Sequence, residues 1–496
     1  MNSVASAADG QPTVQQNLWR TLQAQRVSFE KHTPLSLAER LDALDTLLIG
    51  MVRYQEDFVQ SLIADYGNRA PQETRLLEIF VVVDEIRHTK RHLKSWMRPK
   101  RVSANWLFYT SKARIIYQPL GVVGIIGAWN YQVLLTLSPL VNVIAAGNHA
   151  MLKPSEMAPQ TAEVIARMIE EIFPPTYVTV VNGGPEVSAA FSSLPFDHLF
   201  FTGSGRVGKL VMRAASENLT PVTLELGGKS PALVHPEYSL EVAADRICSG
   251  KFWNAGQTCV APDYALVQEG KHDEFVAHAQ AALARRFPRI VENADYTRII
   301  NARTYERMQS LVEDAKDKGA RVLQVNPAGE DCNIDNRVFP PTLVTGVNDQ
   351  MQIMREEIFG PILPVVKYRD LEDAITYINA RPRPLALYYF DNNAKRVNRI
   401  LTRTTSGGVT VNDTIFHQPQ NNLPFGGVGP SGMGAYHGFV GFATFSKNKG
   451  VFLQSWLVGW FVSLLLKPPY STLSDWFISL LIGRRARAIR KFVHLK

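Results

Sequence analysis

From about Ile115 onward, short apolar runs alternate with stretches of helical length, and this alternation constrains the fold more than any other feature of the chain. Val122 to Ile126, Ala150 to Leu152, Tyr177 to Val181, His198 to Phe201, Val222 to Leu226 and Ala232 to Val234 read as strands. Runs so short and so uniformly apolar suit strands buried on both faces. Separated by helices, they predict βαβ units and a parallel sheet covered on both sides, so the fold class is α/β. A further α/β series follows Cys259, opening with Tyr264 to Val267 and a helix near Lys271 to Arg286.

The first hundred residues read differently. Ser36-Leu37-Ala38-Glu39 has the spacing of a capping box, and Leu41, Leu44, Leu47, Leu48 and Met51 follow at helical period. One long amphipathic helix is expected from there to about Gly67. A second helical stretch covers roughly Glu73 to Trp96 and carries Arg87, Lys90, Arg91 and Lys94, a cluster of the kind a solvated helix face presents. At 496 residues the chain exceeds one ordinary core, so two or three domains are expected.

Charge and cysteine content exclude several classes. The formal net charge is +8, but Arg484, Arg485, Arg487, Arg490, Lys491 and Lys496 crowd the last residues without an acid between them. The body is therefore nearly neutral, and nucleic acid is not an expected partner. The three cysteines, Cys248, Cys259 and Cys332, lack metal-ligand spacing and are too few for a disulfide framework, and no secretory leader pattern opens the sequence. A reducing cytoplasm and no metal are expected.

Three segments stand out as candidate chemistry. Gly203-Ser204-Gly205-Arg206-Val207-Gly208 is a GxGxxG match directly after a strand; such a turn offers the free amides of a helix N-terminus to a phosphate, although Gly-rich turns after strands are common without that role. Cys259 ends the small-residue run Asn254-Ala255-Gly256-Gln257-Thr258, where a thiol can reach a cleft, although a lone cysteine in a cytoplasmic protein is more often an inert buried residue. Glu225 lies inside the apolar Leu224-Glu225-Leu226 before Gly227, Gly228 and Lys229. A carboxylate there is either paired, with Lys229 as the nearest cation in sequence, or functional.

Taken in order, Ala128-Trp129-Asn130, Leu152-Lys153-Pro154-Ser155-Glu156, Phe201-Thr202-Gly203-Ser204, Leu224 to Lys229, Gly256-Gln257-Thr258-Cys259, Glu357-Ile358-Phe359-Gly360-Pro361 and Pro424-Phe425-Gly426-Gly427 form a longer pattern. The chain resembles the aldehyde dehydrogenase superfamily from about residue 15 to 450. The segments 256–264 and 425–438 are similar to the class 3 branch, which includes fatty-aldehyde and bacterial coniferyl aldehyde dehydrogenases, and the run Gly429 to Gly438 leans toward the coniferyl type.

The resemblance implies a role for each residue. Cys259 is the nucleophile that attacks the aldehyde carbon, Asn130 and the Cys259 amide hold the oxyanion, and Glu225 activates the water that hydrolyses the thioester. Lys153 and Glu156 reach the adenosine ribose, Trp129, Gly203, Ser204 and Gly208 lie on the pyrophosphate side, and Glu357 and Phe359 meet the nicotinamide end. NAD is the expected cofactor, with NADP as a second. Tyr131, Phe252, Trp253 and Phe416 are candidate aromatic lining. Two departures are visible: most relatives follow Trp-Asn-Tyr with proline where this chain has Gln132, and many have proline before the tryptophan where it has Ala128. A CoA-acylating dehydrogenase and a catalytically silent scaffold of the same fold are the competing readings; the presence of Glu225 opposes the first, and the full residue set opposes the second.

The same resemblance implies a Rossmann-like dinucleotide-binding domain from residues 1–100 and 119–226, a catalytic domain from 227–425, and an oligomerisation arm from 101–118 and 426–450 that builds a homodimer. Beyond it, Val451 to Leu466 is nearly all apolar, Pro468-Pro469 interrupts, and Trp476 to Ile482 is apolar again before the basic residues. As one helix of sixteen residues the first run would extend about 24 Å, short of the roughly 30 Å hydrocarbon core. Peripheral contact with a membrane surface, without crossing it, is the expectation.

Overall fold

The computed structural model describes residues 13–483. They divide into two compact units, one of residues 13–96 and 119–446, the other of 97–118 and 447–483. The smaller unit is built on a three-stranded sheet of β1 (Lys100–Val102), β2 (Lys112–Pro119) and β16 (Ser446–Leu453), in the order β1-β2-β16.

The larger unit holds two α/β sheets. The first contains β3 (Val122–Ile126), β4 (His149–Lys153), β5 (Val178–Val180), β6 (His198–Gly203), β7 (Val222–Leu226) and the short β15 (Gly432–Met433), in the order β15-β7-β6-β3-β4-β5. All neighbours are parallel except β15 on β7. The second contains β8 (Pro231–Val234), β9 (Tyr264–Gln268), β10 (Arg321–Gln324), β11 (Thr342–Thr345), β12 (Ile362–Tyr368), β13 (Ala386–Phe390) and β14 (Gly408–Val411), in the order β10-β11-β12-β9-β8-β13-β14. Here only β10 on β11 is antiparallel.

The runs 122–126, 150–152, 198–201, 222–226 and 232–234 lie within β3, β4, β6, β7 and β8, which are buried along all or nearly all of their length, whereas the run Tyr177 to Val181 overshoots the edge strand β5, of which only Val178 is buried. Order in the first sheet decides where a ligand fits. Strands run outward as β3, β4, β5 on one side and as β6, β7 on the other, so the connection reverses between β3 and β6. At such a reversal the loops after adjacent strands part and leave a crevice at their carboxyl ends.

The helical expectations need three corrections. The stretch from Ser36 is two helices, Leu37–Arg53 with the predicted capping box and Gln55–Tyr66, because Tyr54 leaves helical geometry between them. Gly67, in the left-handed region at φ +78°, closes the second, as a residue without Cβ does at little cost. The next stretch begins at Pro71 and passes through a π-helical turn, Arg75–Phe80, before the regular helix Val81–Trp96. In the tail, Val451 to Leu453 belong to β16 and only Trp456–Leu465 is helical, followed by Thr472–Ile482. The single apolar helix read from Val451 to Leu466 is therefore not formed; composition alone did not separate edge strand from helix. Among the described residues no helix is long and apolar enough to cross a membrane. The six terminal cations lie outside the described residues.

Candidate active site

The site is assembled from loops at the carboxyl ends of β3, β6 and β7 and from the turn that leads into β9. Before Cys259, the helix Leu240–Phe252 ends and Asn254, Ala255 and Gly256 adopt left-handed backbone in succession, at φ +51°, +50° and +73°. A Cβ on Gly256 would stand 2.3 Å from the Gly360 carbonyl oxygen, so the close approach of these two backbones requires glycine. The tight turn presents Cys259 as a half-buried thiol. Burial first, and then the carboxyls of Glu357 and Glu225, push that thiol up to about 12.

Asn130 follows β3 and is buried. Its Nδ2 donates to the Gln257 carbonyl at 3.1 Å, which ties the end of β3 to the cysteine turn and leaves a second N–H on the amide. Its own carbonyl accepts from Tyr66 Oη (3.1 Å), Arg69 Nη1 (3.2 Å) and Asn254 Nδ2 (3.0 Å). The next residue, Tyr131, shares a hydrogen bond with Thr258 Oγ1 at 2.8 Å, immediately before the cysteine. Gln132, in place of the family's proline, anchors the turn by donating to the Ala158 carbonyl at 2.8 Å.

Glu225 sits near the end of β7, in register with Thr202 of β6 and Gly432 of β15. It is 3% exposed, and both carboxylate oxygens lack a hydrogen-bond partner among the described residues. Burial raises this carboxyl well above the usual range. Lys229 is not its partner: its Nζ pairs with Asp263 and donates to the carbonyls of Ile353 (2.7 Å) and Glu356 (3.1 Å). Of the two sequence readings, the paired one is removed.

Glu357 packs against the bare backbone of Gly227, where a Cβ would fall 2.1 Å from its Oε2. Burial raises its carboxyl to about 8; the charge of Asp263 works in the same direction, while the Gly228 amide, Lys229 and Arg307 oppose it. Phe359 holds φ +52°, a strained value for an aromatic residue, and its ring meets that of Trp129 edge-on at 5.6 Å.

The remaining residues surround the crevice between β3 and β6. Ser204 caps the helix Gly205–Ser216 by accepting from the Val207 amide, and a Cβ on Gly205 would meet nothing within 4 Å, so the helix N-terminus faces open space. Gly208 lets that helix lie on the sheet, since a Cβ there would come 2.8 Å from Leu226. Lys153, buried at the end of β4, donates from Nζ to the Pro154 carbonyl (2.8 Å) and to Glu156 Oε2 (3.2 Å), and the Glu156 side chain is 39% exposed. Anion-binding amides and a solvent-facing carboxylate flank the β3/β6 crevice, and these donors fit the diphosphate and ribose of a dinucleotide. Lys153 and Glu156 form their own pair at the end of β4 and are not bonded to the cysteine cluster.

Sequence reading gave no role to Arg69, Glu78, Tyr66 or Asn254; of these only Glu78 left a trace, as a charge inside the apolar Leu77-Glu78-Ile79. It also missed Tyr436, a buried ring whose phenol is pushed well up by burial and then by the charges of Glu225 and Glu85. Of the suggested lining, Phe252 and Tyr131 are buried, whereas half-buried Trp253 and exposed Phe416 meet edge-on at 6.0 Å.

A sequence profile of the aldehyde dehydrogenase family matches residues 8–451. The chain belongs to the aldehyde dehydrogenase family. It is 47% identical over 454 residues to a probable coniferyl aldehyde dehydrogenase of Caulobacter vibrioides, covering 90% of this chain and 93% of that one. The substrate-bound AldH of Staphylococcus aureus superposes with a TM-score of 0.86 at 38% identity, over 93% of this chain and 99% of that one. The NAD+ complex of a Bacillus cereus aldehyde dehydrogenase gives 0.80 at 26% identity, covering 89% of each chain. This aldehyde dehydrogenase is thus an oxidoreductase of the aldehyde group with the α/β fold of its family.

Proposed function

We propose that this enzyme oxidises an aromatic aldehyde of the coniferyl type to its acid through a thioester on Cys259. The observation that carries the reading is the hydrogen bond from Asn130 to Gln257, which fixes an amide donor beside the nucleophile turn, with Glu225 buried on β7 and without a hydrogen-bond partner among the described residues.

In this mechanism the Cys259 sulfur adds to the carbonyl carbon, and the oxyanion formed is held by Asn130 Nδ2 and the Cys259 amide. Lys153, Glu156, Gly203, Ser204, Gly208, Trp129, Glu357 and Phe359 would hold NAD along the β3/β6 crevice, and when bound it would supply hydride acceptance, turning the thiohemiacetal into the thioester. Glu225 then takes a proton from water, whose oxygen attacks the thioester carbon and releases the acid and the thiolate. A carboxyl raised by burial suits that task near neutral pH. The aromatic substrate class is supported by the Caulobacter relative and by the Trp253–Phe416 pair, because Trp253 opens the same turn that carries Cys259.

In the same reading residues 1–100 and 119–226 form the cofactor domain, 227–425 the catalytic domain, and 101–118 with 426–450 an arm for a homodimer working in the cytoplasm. The tail rests on a membrane surface. Initial rates of NADH formation across coniferyl aldehyde, benzaldehydes and medium- and long-chain alkanals test the substrate class: the highest kcat/KM is expected for coniferyl aldehyde. A tenfold advantage for long alkanals would overturn it, and acyl transfer to added CoA would overturn hydrolysis.

A further inference from the structure

Arg69 is fully buried, far in sequence from every motif residue, and touches the oxyanion turn from behind. One guanidinium nitrogen, Nη2, pairs with Glu78 Oε1 at 2.8 Å, both side chains being wholly inaccessible, while Nη1 donates to the Asn130 carbonyl at 3.2 Å. The plane between them lies 5.0 Å from the ring centroids of both Tyr66 and Tyr131. Glu78 completes the grip from the other side, since its Oε2 accepts from the amides of Val133 (2.8 Å) and Leu134 (3.3 Å) in the first turn of the helix Gln132–Ala146.

We propose that Arg69, paired with Glu78, is a positioning residue for oxidation, holding Asn130 and Tyr131 in register with the Cys259 turn. The proposal rests on the reading of Asn130 as oxyanion donor. Asn130 has one rotatable route to the reacting atoms, through its Cα, and that Cα lies between a carbonyl clamped by three donors and a side-chain amide bonded to Gln257. Tyr131 carries the same restraint onward to Thr258. Gln132 lacks the ring with which proline would stiffen the turn, so hydrogen bonds must set its geometry. A flat, five-donor cation can reach a carboxylate and a carbonyl together, which a lysine ammonium does with less directional control.

The test uses single-turnover NADH formation on full-length enzyme, with cofactor affinity read by NADH fluorescence. Asn130→Ala should slow the first turnover about 100-fold. Arg69→Met/Glu78→Gln removes both charges together, so neither is left buried and alone, and the carboxamide that replaces the Glu78 carboxylate still offers an oxygen to the amides of Val133 and Leu134. This pair should slow the first turnover about 10- to 100-fold with NADH affinity within about twofold, and Arg69→Lys should restore part of the rate. In an Asn130→Ala background the pair should cost no more than about threefold further, because both act through one group. If the pair does not fold, Tyr66→Phe removes one donor to the same carbonyl and should show a loss of a few-fold that disappears in Asn130→Ala. A wild-type rate in the folded pair, or losses that multiply in the combined variant, overturns the role of Arg69 while leaving Asn130 in place. A wild-type rate in Asn130→Ala removes the oxyanion reading itself, and the proposal with it.

Discussion

Lys229, four residues beyond Glu225 in sequence, bonds to Asp263 through its Nζ, and the glutamate is thereby left without a cation among the described residues. Asp263 uses its other oxygen to accept from the Ile358 amide at 3.0 Å, so the pair braces the segment that carries Glu357. A carboxyl whose ionisation burial disfavours is costly for the fold, and its carboxylate is a stronger base for the same reason.

Glu225→Gln should therefore separate activity from stability. Steady-state turnover should fall about 10²- to 10⁴-fold with a residual first-turnover burst of NADH. The folded carboxyl titrates above its ordinary 4.5, so its contribution to stability is complete below that value and is lost as pH rises toward the raised one. The glutamine variant should match the wild type in melting temperature at or below about pH 4.5 and exceed it increasingly as pH rises above that. In the wild type kcat should climb with pH over the same window. A difference in melting temperature that does not grow with pH would remove the buried-base account.

Cys259→Ala should abolish turnover, by about 10³-fold or more, while NADH still binds. Cys248→Ala and Cys332→Ala should leave turnover within about twofold, since neither is in the cluster. Because the Cys259 thiol is pushed to about 12 in the cofactor-free protein, its alkylation by iodoacetamide should accelerate about tenfold per pH unit between 7 and 9. Mass-spectrometric mapping of the label checks this, and a plateau near pH 7 would show a thiolate already formed.

The exposed Glu156 carboxylate, held by Lys153, sets the expected cofactor preference. A free ribose hydroxyl can donate to it, whereas a 2′-phosphate is repelled. NAD should be preferred with measurable NADP use, and Glu156→Ala should raise the NADP-to-NAD ratio of kcat/KM about tenfold, equivalent to about 1.4 kcal/mol. Parallel initial rates decide it; a wild-type preference for NADP contradicts the assignment.

In the smaller unit, Trp456, Trp460, Trp476, Leu480 and Ile482 are all more than half exposed. With the cations that follow in sequence, full-length enzyme should sediment with vesicles containing phosphatidylglycerol and be released by high salt. A chain ending at Gln454, which retains β16, should remain in the supernatant with unchanged kcat. No sedimentation of the full chain ends the membrane reading.

Much of this was legible in the residues. Val122 to Ile126 was readable as a strand to its last residue because a doubly buried strand shows an unbroken apolar run. The tail was not, since Val451 to Leu453 satisfies an edge strand and a helix equally well in composition. Cys259, Asn130 and Glu225 were visible because each lies in a local motif, and the structure places their neighbourhoods together. Arg69 was invisible for the opposite reason: its meaning lies in a carbonyl 61 residues away, a relation no local period or spacing encodes.

The left-handed run Asn254, Ala255, Gly256 bears on redesign of the enzyme. Two of its three residues carry side chains, each held at a backbone cost of about 1–3 kcal/mol that only the surrounding bonds outweigh. The turn is therefore not a portable cassette: cut out and grafted onto another loop, it would relax and carry the sulfur elsewhere. A mutant library that randomises it would mostly sample misplaced nucleophiles, whereas Trp253 and Phe416, at its solvent-facing margin, are under no such constraint. The address of the reaction is fixed, and its clientele can be rewritten from the rim.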